Sequence, residues 1–237
     1  MIDVHSHILP GIDDGSRDTK MSLMMLKESF AQGIETMIAT PHFYINRNEA
    51  EVFLEKRKAS FEKLKEAANK EGLSFGKDIP KVYTGSEVFF FRGISKYKAL
   101  PSLTVNEGKY LLLEMPFSKW NDSIISEVED IMYTFKLQVV IAHIERFLEY
   151  QKGTDLIDKL LSLGVTVQMN AEYINSFFTR GKALKLIKED VVQVLGSDCH
   201  NMEKRPPNLR KSIDIIEKKL GHNFIDKFNK IGYNMIN

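Results

Sequence analysis

Eight side chains able to bind a metal ion or a phosphate group close separate apolar runs of this sequence. They are His5 and His7 in IDVHSH, His42 in ATPHF, Glu87 in TGSEVFF, Glu114 in LLLEMPF, His143 in VVIAHIER, and Asp198 and His200 in LGSDCH. Five of the six histidines belong to this set, and His222 is the one outside it. Side chains two apart on an extended segment project to the same side, so His5 with His7 and Asp198 with His200 are potential chelating pairs, and Cys199 points elsewhere. Two ligands do not complete a metal site, so distant segments must converge. Taken alone, an HxH pair is more often two satisfied or surface histidines, and His143 reads as a core histidine. Glu87 and Glu114 differ, because an unpaired carboxylate inside an apolar run is costly to bury and calls for a cation. Imidazole and carboxylate without thiolate suit Mn, Fe or Zn, and eight donors exceed the needs of one ion. Asp13-Asp14-Gly15 in isolation reads as a turn.

To meet, these residues must sit on elements whose ends share a face. Strand-like and helix-like stretches alternate along the chain, with strands expected over 2–7, 34–40, 81–89, 110–114, 137–143, 165–170 and 191–196. Asp18 is the expected N-cap of a helix through MSLMMLKESFAQ, and Asn48 that of a long charged helix running to about Lys70. Further helices are expected over 122–135, 155–163 and 181–188, and after Pro207. Repeated βα units predict a parallel sheet, closed or doubly wound. About seven strands and no Gly-rich dinucleotide loop favour an irregular barrel, in which the C-terminal strand ends form one functional face. No linker, repeat or low-complexity tract interrupts the chain, so one domain over 1–237 is expected.

Composition narrows the function. Lys plus Arg number 33 against 32 Asp plus Glu, a net charge of +1, which leaves no basic field for tracking nucleic acid and makes any phosphate recognition local. A single cysteine excludes an intramolecular disulfide framework. No apolar run approaches the roughly 18 residues of a membrane span, and the start lacks the pattern of a signal peptide, so a cytoplasmic protein without membrane insertion is expected. The oligomeric state stays open. The aromatic runs VFFF at 88–91 and NSFF at 175–178 are assigned to the core by default, with a site rim or subunit contact as the alternative.

The motifs MIDVHSHILPGIDDGS, IATPHF, GSEVFF, LLEMPF, IAHIER and GSDCH with the following KRPP, in order over residues 2–207, resemble those of the polymerase and histidinol phosphatase (PHP) superfamily. More narrowly they resemble its bacterial manganese-dependent protein-tyrosine phosphatases of capsular and exopolysaccharide synthesis. The resemblance implies an α/β fold, a single-domain distorted (βα)7-type TIM-like barrel, with up to three divalent ions: Mn²⁺, or alternatively Fe or Zn. It implies that His5, His7, Glu87 and Asp198 hold the first ion, Asp14, His42 and His200 the second, and Glu87, as a bridge, with Glu114 and His143 the third. Asp14 thereby becomes a ligand rather than a turn residue. Arg146 and Arg205 correspond to arginines that meet the substrate phosphate. Ile144 departs from the pattern, since relatives usually carry proline there, and this makes the position of Arg146 less secure than the ligands. The implied substrate is a phosphotyrosine protein, specifically an autophosphorylating bacterial tyrosine kinase. The alternative is a small-molecule phosphomonoesterase such as histidinol phosphatase, which would share every ligand and differ in the loops over the site.

The chemistry suits these residues. Phosphate monoesters hydrolyse so slowly unaided that enzymes reach accelerations as large as about 10²¹. Ions can lower the pKa of water from about 15.7 to roughly 7 and clamp the phosphoryl oxygens. The expected reaction is in-line attack by a metal-activated hydroxide, with Arg146 and Arg205 neutralising the equatorial oxygens. A tyrosyl leaving group, of pKa about 10, needs little acid help, and His42 or Asp198 is the expected proton source. Two rivals exist. Cys199 and Arg205 flank five residues, the spacing of cysteine-dependent tyrosine phosphatases, but the intervening HNMEK lacks glycine and carries the acid Glu203. A noncatalytic metal scaffold is the other, disfavoured by the arginine pair.

Overall fold

A computed structural model describes all residues, Met1–Asn237. In chain order the elements are β1 (Ile2–Ser6), α1 (Thr19–Ala31), β2 (Thr36–Ala39), β3 (His42–Phe43), α2 (Ala50–Lys70), β4 (Lys81–Thr84), β5 (Glu87–Phe89), β6 (Tyr110–Glu114), α3 (Asp122–Phe135) and β7 (Gln138–Ile141). They continue with α4 (Leu156–Ser162), β8 (Thr166–Asn170), α5 (Ala171–Asn175), α6 (Arg180–Lys188), β9 (Val194–Gly196), α7 (Leu209–Leu220) and α8 (His222–Asn234). Every strand pair is parallel, in two sheets ordered β1-β2-β4 and β3-β5-β6-β7-β8-β9. Beyond β9, Asp198 N donates to His5 O at 2.8 Å and His7 N to Cys199 O at 2.9 Å, so the curled sheet returns to β1.

Two expected strands are broken in the middle. The stretch over 34–40 ends at Ala39 and resumes as β3 beyond Pro41, which has no N–H to give a ladder. The stretch over 81–89 ends at Thr84 and resumes at Glu87 after Gly85-Ser86. The breaks lie side by side, with Gly85 N donating to Ala39 O at 2.8 Å and Glu87 N to Pro41 O at 3.1 Å. Nine short strands therefore replace the seven uniform ones expected.

A bulge aims the first histidines. In β1 the register against β2 passes from Asp3↔Met37 to Ser6↔Ala39, three steps against two, which inserts one extra residue. Ile2 and Val4 pack inside the curled sheet with Ile38, Leu112, Val140 and Val194. Strict alternation from Val4 would turn His5 outward; the bulge lets His5 and His7 face the same interior, and Ser6 turns away to donate to Ile38 O at 2.8 Å. Glu87 reaches that interior by register, opposite Leu112.

Helix ends follow local chemistry. Asp18 caps α1, its carboxylate accepting from Met21 N at 2.8 Å. Asn48 does not cap α2. Glu49 is the N-cap, the Tyr97 hydroxyl accepts from Ala50 N at 3.2 Å, and the Asn48 amide oxygen takes Lys56 Nζ at 2.7 Å. No helix is long and apolar enough to cross a membrane.

Candidate metal centre

The strand ends bring four donors into a buried cage. His5 Nε2 lies 3.1 Å from His7 Nε2, 3.3 Å from Glu87 Oε2 and 3.5 Å from Asp198 Oδ1, and His7 Nε2 lies 3.3 Å from each of those oxygens. Ligands held tetrahedrally at about 2.0–2.2 Å from one ion stand about 3.3–3.6 Å apart, so the spacing fits a metal shell. A second group joins Asp14 Oδ1 to His42 Nε2 at 3.5 Å and His200 Nε2 at 3.6 Å. In a third, His143 Nε2 lies 2.8 Å from Glu87 Oε1 and 3.2 Å from Glu114 Oε1. The groups are not cleanly separate: His7 is also within reach of the Asp14 group, and His42 of Glu87 and Glu114.

Outer contacts set the tautomers. His7 Nδ1 donates to Asp13 Oδ2 at 2.7 Å, His5 Nδ1 to Gln168 Oε1 at 3.2 Å, and His200 Nδ1 to the Asp198 carbonyl at 2.9 Å. With Nδ1 carrying the proton, each ring points the Nε2 lone pair into the cluster, as a metal-binding imidazole does. His42 Nδ1, Glu87 Oε2, His143 Nδ1 and His200 Nε2 are buried without a hydrogen-bond partner. His42 Nδ1 is 2.9 Å from Glu87 Oε2 but misaligned for a hydrogen bond. Orphaned donors and acceptors at this density are explained by cations that complete their shells. Without metal, burial pushes the Glu87 carboxyl upward, yet the positive charge that the neighbouring imidazoles of His5, His143 and His42 can carry holds it well below its ordinary range. Burial lowers the His143 imidazole, but hydrogen bonds to Glu114 and Glu87 raise it to about 9.

Asp198 divides its two oxygens. Oδ1 faces the cage, and Oδ2 accepts from Arg146 Nη2 at 2.5 Å, Arg205 Nη2 at 2.6 Å and Asn170 Nδ2 at 2.8 Å. Each arginine side chain keeps about a third of its surface in solvent (33%), so both guanidinium groups remain open to an anion. Ile144 is fully buried in the turn Ile144–Arg146, and Arg146 still reaches Asp198. Arg205 is placed by a loop in which Asn201 Oδ1 accepts from the backbone N–H groups of Glu203, Lys204 and Arg205. His143 at φ 29° and Asp198 at φ 51° occupy the left-handed region that non-glycine residues seldom adopt.

Cys199 takes no part. Its side chain is fully buried among apolar residues, and burial together with the Asp3 charge drives the thiol far above its ordinary range. That is the opposite of an activated nucleophile.

Sequence reasoning missed several supporting residues. Residue type alone leaves Asp13 and Asp14 equal as the turn's ligand, and Asp13 instead orients His7. Gln168 and Asn170, two apart in VQMN, share the alternation of the HxH pair, and as amides they hold His5 and Asp198 instead of an ion. Arg57 on α2 is buried and donates from Nη1 to Gly85 O at 2.9 Å and Ser86 Oγ at 3.0 Å, gripping the break that precedes Glu87. A cavity of about 590 Å³ lies beside Arg57 and Phe61 and contains none of the cluster.

Comparison with known proteins agrees with the motif resemblance. Tyrosine-protein phosphatase CpsB of Streptococcus pneumoniae is 29% identical over 98% of both chains. Tyrosine-protein phosphatase YwqE of Bacillus subtilis is 30% identical over 93% of this chain and 85% of its own. A crystal structure of the metal-dependent tyrosine phosphatases YwqE from B. subtilis and CpsB from S. pneumoniae superposes with a TM-score of 0.86 at 25% identity, covering 100% of this chain and 94% of that one. A phosphotriesterase homology protein from Escherichia coli shares the fold alone, at TM-score 0.53 and 12% identity. The family model for capsular polysaccharide synthesis, CpsB/CapC, matches residues 1–233, and the chain belongs to that family.

Proposed function

We propose that this protein is a metal-dependent protein-tyrosine phosphatase. The observation that carries the reading is Asp198: one oxygen faces the histidine cage and the other is gripped by two half-open arginines, so metal donors and phosphate receptors share one carboxylate. We assign His5, His7, Glu87 and Asp198 to a first ion, Asp14, His42 and His200 to a second, and Glu87, Glu114 and His143 to a third. The hard and borderline donor set, without thiolate, suits Mn²⁺. When bound, such ions supply Lewis-acid charge to phosphoryl oxygens and make a nucleophile available from water at neutral pH.

The chain's own residues do the rest. Arg146 and Arg205 turn from Asp198 to the phosphate, where a planar guanidinium fork matches two oxygens at once. Asp198 is a poor proton donor: burial alone would raise its carboxyl, but the His5 charge and the His7 hydrogen bond hold it well below its ordinary range. His42, lowered by burial but raised further by its contact with Glu87, keeps its proton longer only in the metal-free protein; as a donor to the second ion it has no proton to give from Nε2, and the tyrosyl group leaves without strong acid help. Phe117, partly exposed, lies parallel to the His143 ring at 6.3 Å and offers an aromatic wall for a tyrosyl ring.

We read β2–β3 and β4–β5 each as one broken strand, which supports a seven-stranded distorted barrel in one domain. The physiological substrate is a phosphotyrosine protein of the cytoplasm, an autophosphorylating kinase of capsule synthesis. A small-molecule phosphatase acting on histidinol phosphate is the second reading. Steady-state hydrolysis of a phosphotyrosine peptide and of histidinol phosphate, each with Mn²⁺, separates them: the peptide is the better substrate by kcat/KM, and the reverse order rejects the protein substrate.

A further inference from the structure

Phe177 and Phe178 stand in water. They are 82% and 95% exposed, where the sequence pattern suggested core, and their rings meet edge to face at 6.0 Å. Large apolar groups bared together on a loop mark an interaction surface. The loop that carries them is pinned on both sides. Ser176 N donates to Glu172 O and Arg180 N to Ser176 O, both at 3.0 Å, and the Arg180 guanidinium holds Ile174 O at 3.2 Å and Asn175 O at 3.0 Å. Asn175 is itself anchored, donating to Asn208 O at 2.9 Å and accepting from Ser212 Oγ at 3.0 Å. The rings are thus held out by an ordered turn, which lowers the entropy cost of binding a partner.

The same loop borders a cleft that reaches Arg146. This cleft, of about 280 Å³, is lined by Arg146, Asn170, Tyr173, Ser176 and Thr179, with the acids Glu145 and Glu172. Arg146 and Asn170 both bond Asp198, so these two residues stand between the cleft and the donor cluster. Ser176 borders the two phenylalanines directly in sequence.

We propose that this cleft and the Phe177–Phe178 tip form a docking subsite for the polypeptide flanking the phosphotyrosine, with an apolar side chain of that polypeptide packed on the two rings. The inference rests on the reading of the protein as a phosphotyrosine-protein phosphatase. Continuity with Arg146 favours this occupant: a chain whose phosphate is held by the arginines must pass over a neighbouring surface, whereas a small phosphomonoester ends at the arginines and leaves the rings bare. The subsite is a specificity device and touches no reacting atom.

The test compares the Mn²⁺-loaded wild type with the double variant F177A/F178A on three substrates: para-nitrophenyl phosphate, a phosphotyrosine peptide with apolar flanking residues, and the same peptide with glycine and serine flanks. Both side chains are exposed, so the variant folds. The expected result is unchanged turnover of para-nitrophenyl phosphate and of the glycine-serine peptide, with kcat/KM on the apolar peptide falling about tenfold or more through KM, as loss of an aromatic anchor does. Equal kcat/KM on the apolar peptide, or an equal fall on all three substrates, overturns the inference. Unchanged peptide turnover with a drop in sedimenting mass also overturns it, and assigns the rings to self-association. If the wild type hydrolyses para-nitrophenyl phosphate but neither peptide, the parent reading fails as well, which is a distinguishable outcome.

Discussion

Asp13 Oδ2 accepts a hydrogen bond from His7 Nδ1 at 2.7 Å, and its neighbour Asp14 faces the other way, toward His42 and His200. Adjacent carboxylates in one turn thus serve two purposes. Asp13 orients a ligand and also accepts from His42 N at 3.1 Å and, through Oδ1, from Gly15 N at 2.9 Å. Gly15 is required for this, since a Cβ there would lie 2.3 Å from His7 O. Asp13→Asn should weaken metal affinity by about 10- to 100-fold while leaving the ligand set intact, as loss of an orienting partner does. Calorimetric titration with Mn²⁺ measures this, and an affinity equal to wild type removes Asp13 from the account.

Metal binding should expel protons. Burial opposes a charged His143, but its bonds to Glu114 and Glu87 raise it to about 9, above the ordinary value near 6.5. The sign follows: in metal-free protein the stability from this charged pair is fully present below about pH 6.5 and is lost as pH rises through about 9. Ions compete with that proton, so this one group makes apparent affinity rise by up to about tenfold per pH unit across the same window. Thermal unfolding of chelated and Mn²⁺-loaded protein between pH 6 and 9.5 should show a gap that widens with pH. A constant or narrowing gap contradicts the assignment.

Arg57 links the core of α2 to the approach of Glu87. Its guanidinium holds Gly85 O and Ser86 Oγ, the two residues immediately before Glu87, across the break between β4 and β5. Arg57→Met keeps the aliphatic bulk but removes two hydrogen bonds from a charged donor, and should cost about 2–3 kcal/mol in urea unfolding. It should also lower Mn²⁺ occupancy, because Glu87 then loses its fixed approach. Destabilisation with unchanged occupancy would limit Arg57 to a structural part.

The two tyrosine-phosphatase chemistries separate at Cys199, while both call on Arg205. Cys199→Ser should leave turnover of para-nitrophenyl phosphate largely intact, because the thiol lies in the apolar core. Arg205→Ala should lower kcat/KM by about 10- to 100-fold, the value of a hydrogen bond from a charged group. Loss of activity in the cysteine variant together with insensitivity to chelators would reverse the mechanism.

Much of the site was readable in the sequence because most of its donors close or follow strands, and parallel strands gather their C-terminal ends on one face; His42 and Glu87 instead open β3 and β5, just past the two breaks. His5, Glu114 and Asp198 meet for that reason. What remained hidden depends on one-residue events. The bulge after Asp3 decides which face His5 takes, and alternation alone does not reveal an inserted residue. The strand breaks had signals in Pro41 and Gly85-Ser86, but the apolar run through each obscured them. Asn48 lost the cap of α2 to a tyrosine 47 residues from the first helical residue, a tertiary contact no local pattern contains. NSFF read as core because hydrophobicity records composition and not place; the pinned loop puts Phe177 and Phe178 outside.

The central claim, that buried histidines and carboxylates hold the ions that run phosphate hydrolysis, turns on Glu87, which is within 3.3 Å of His5, His7, His42 and His143. The most direct measurement is metal content per chain together with Mn²⁺-dependent phosphate release from a phosphotyrosine peptide in Glu87→Ala. The account predicts a folded protein with fewer bound ions than wild type and almost no turnover. A full metal complement with wild-type turnover would contradict it.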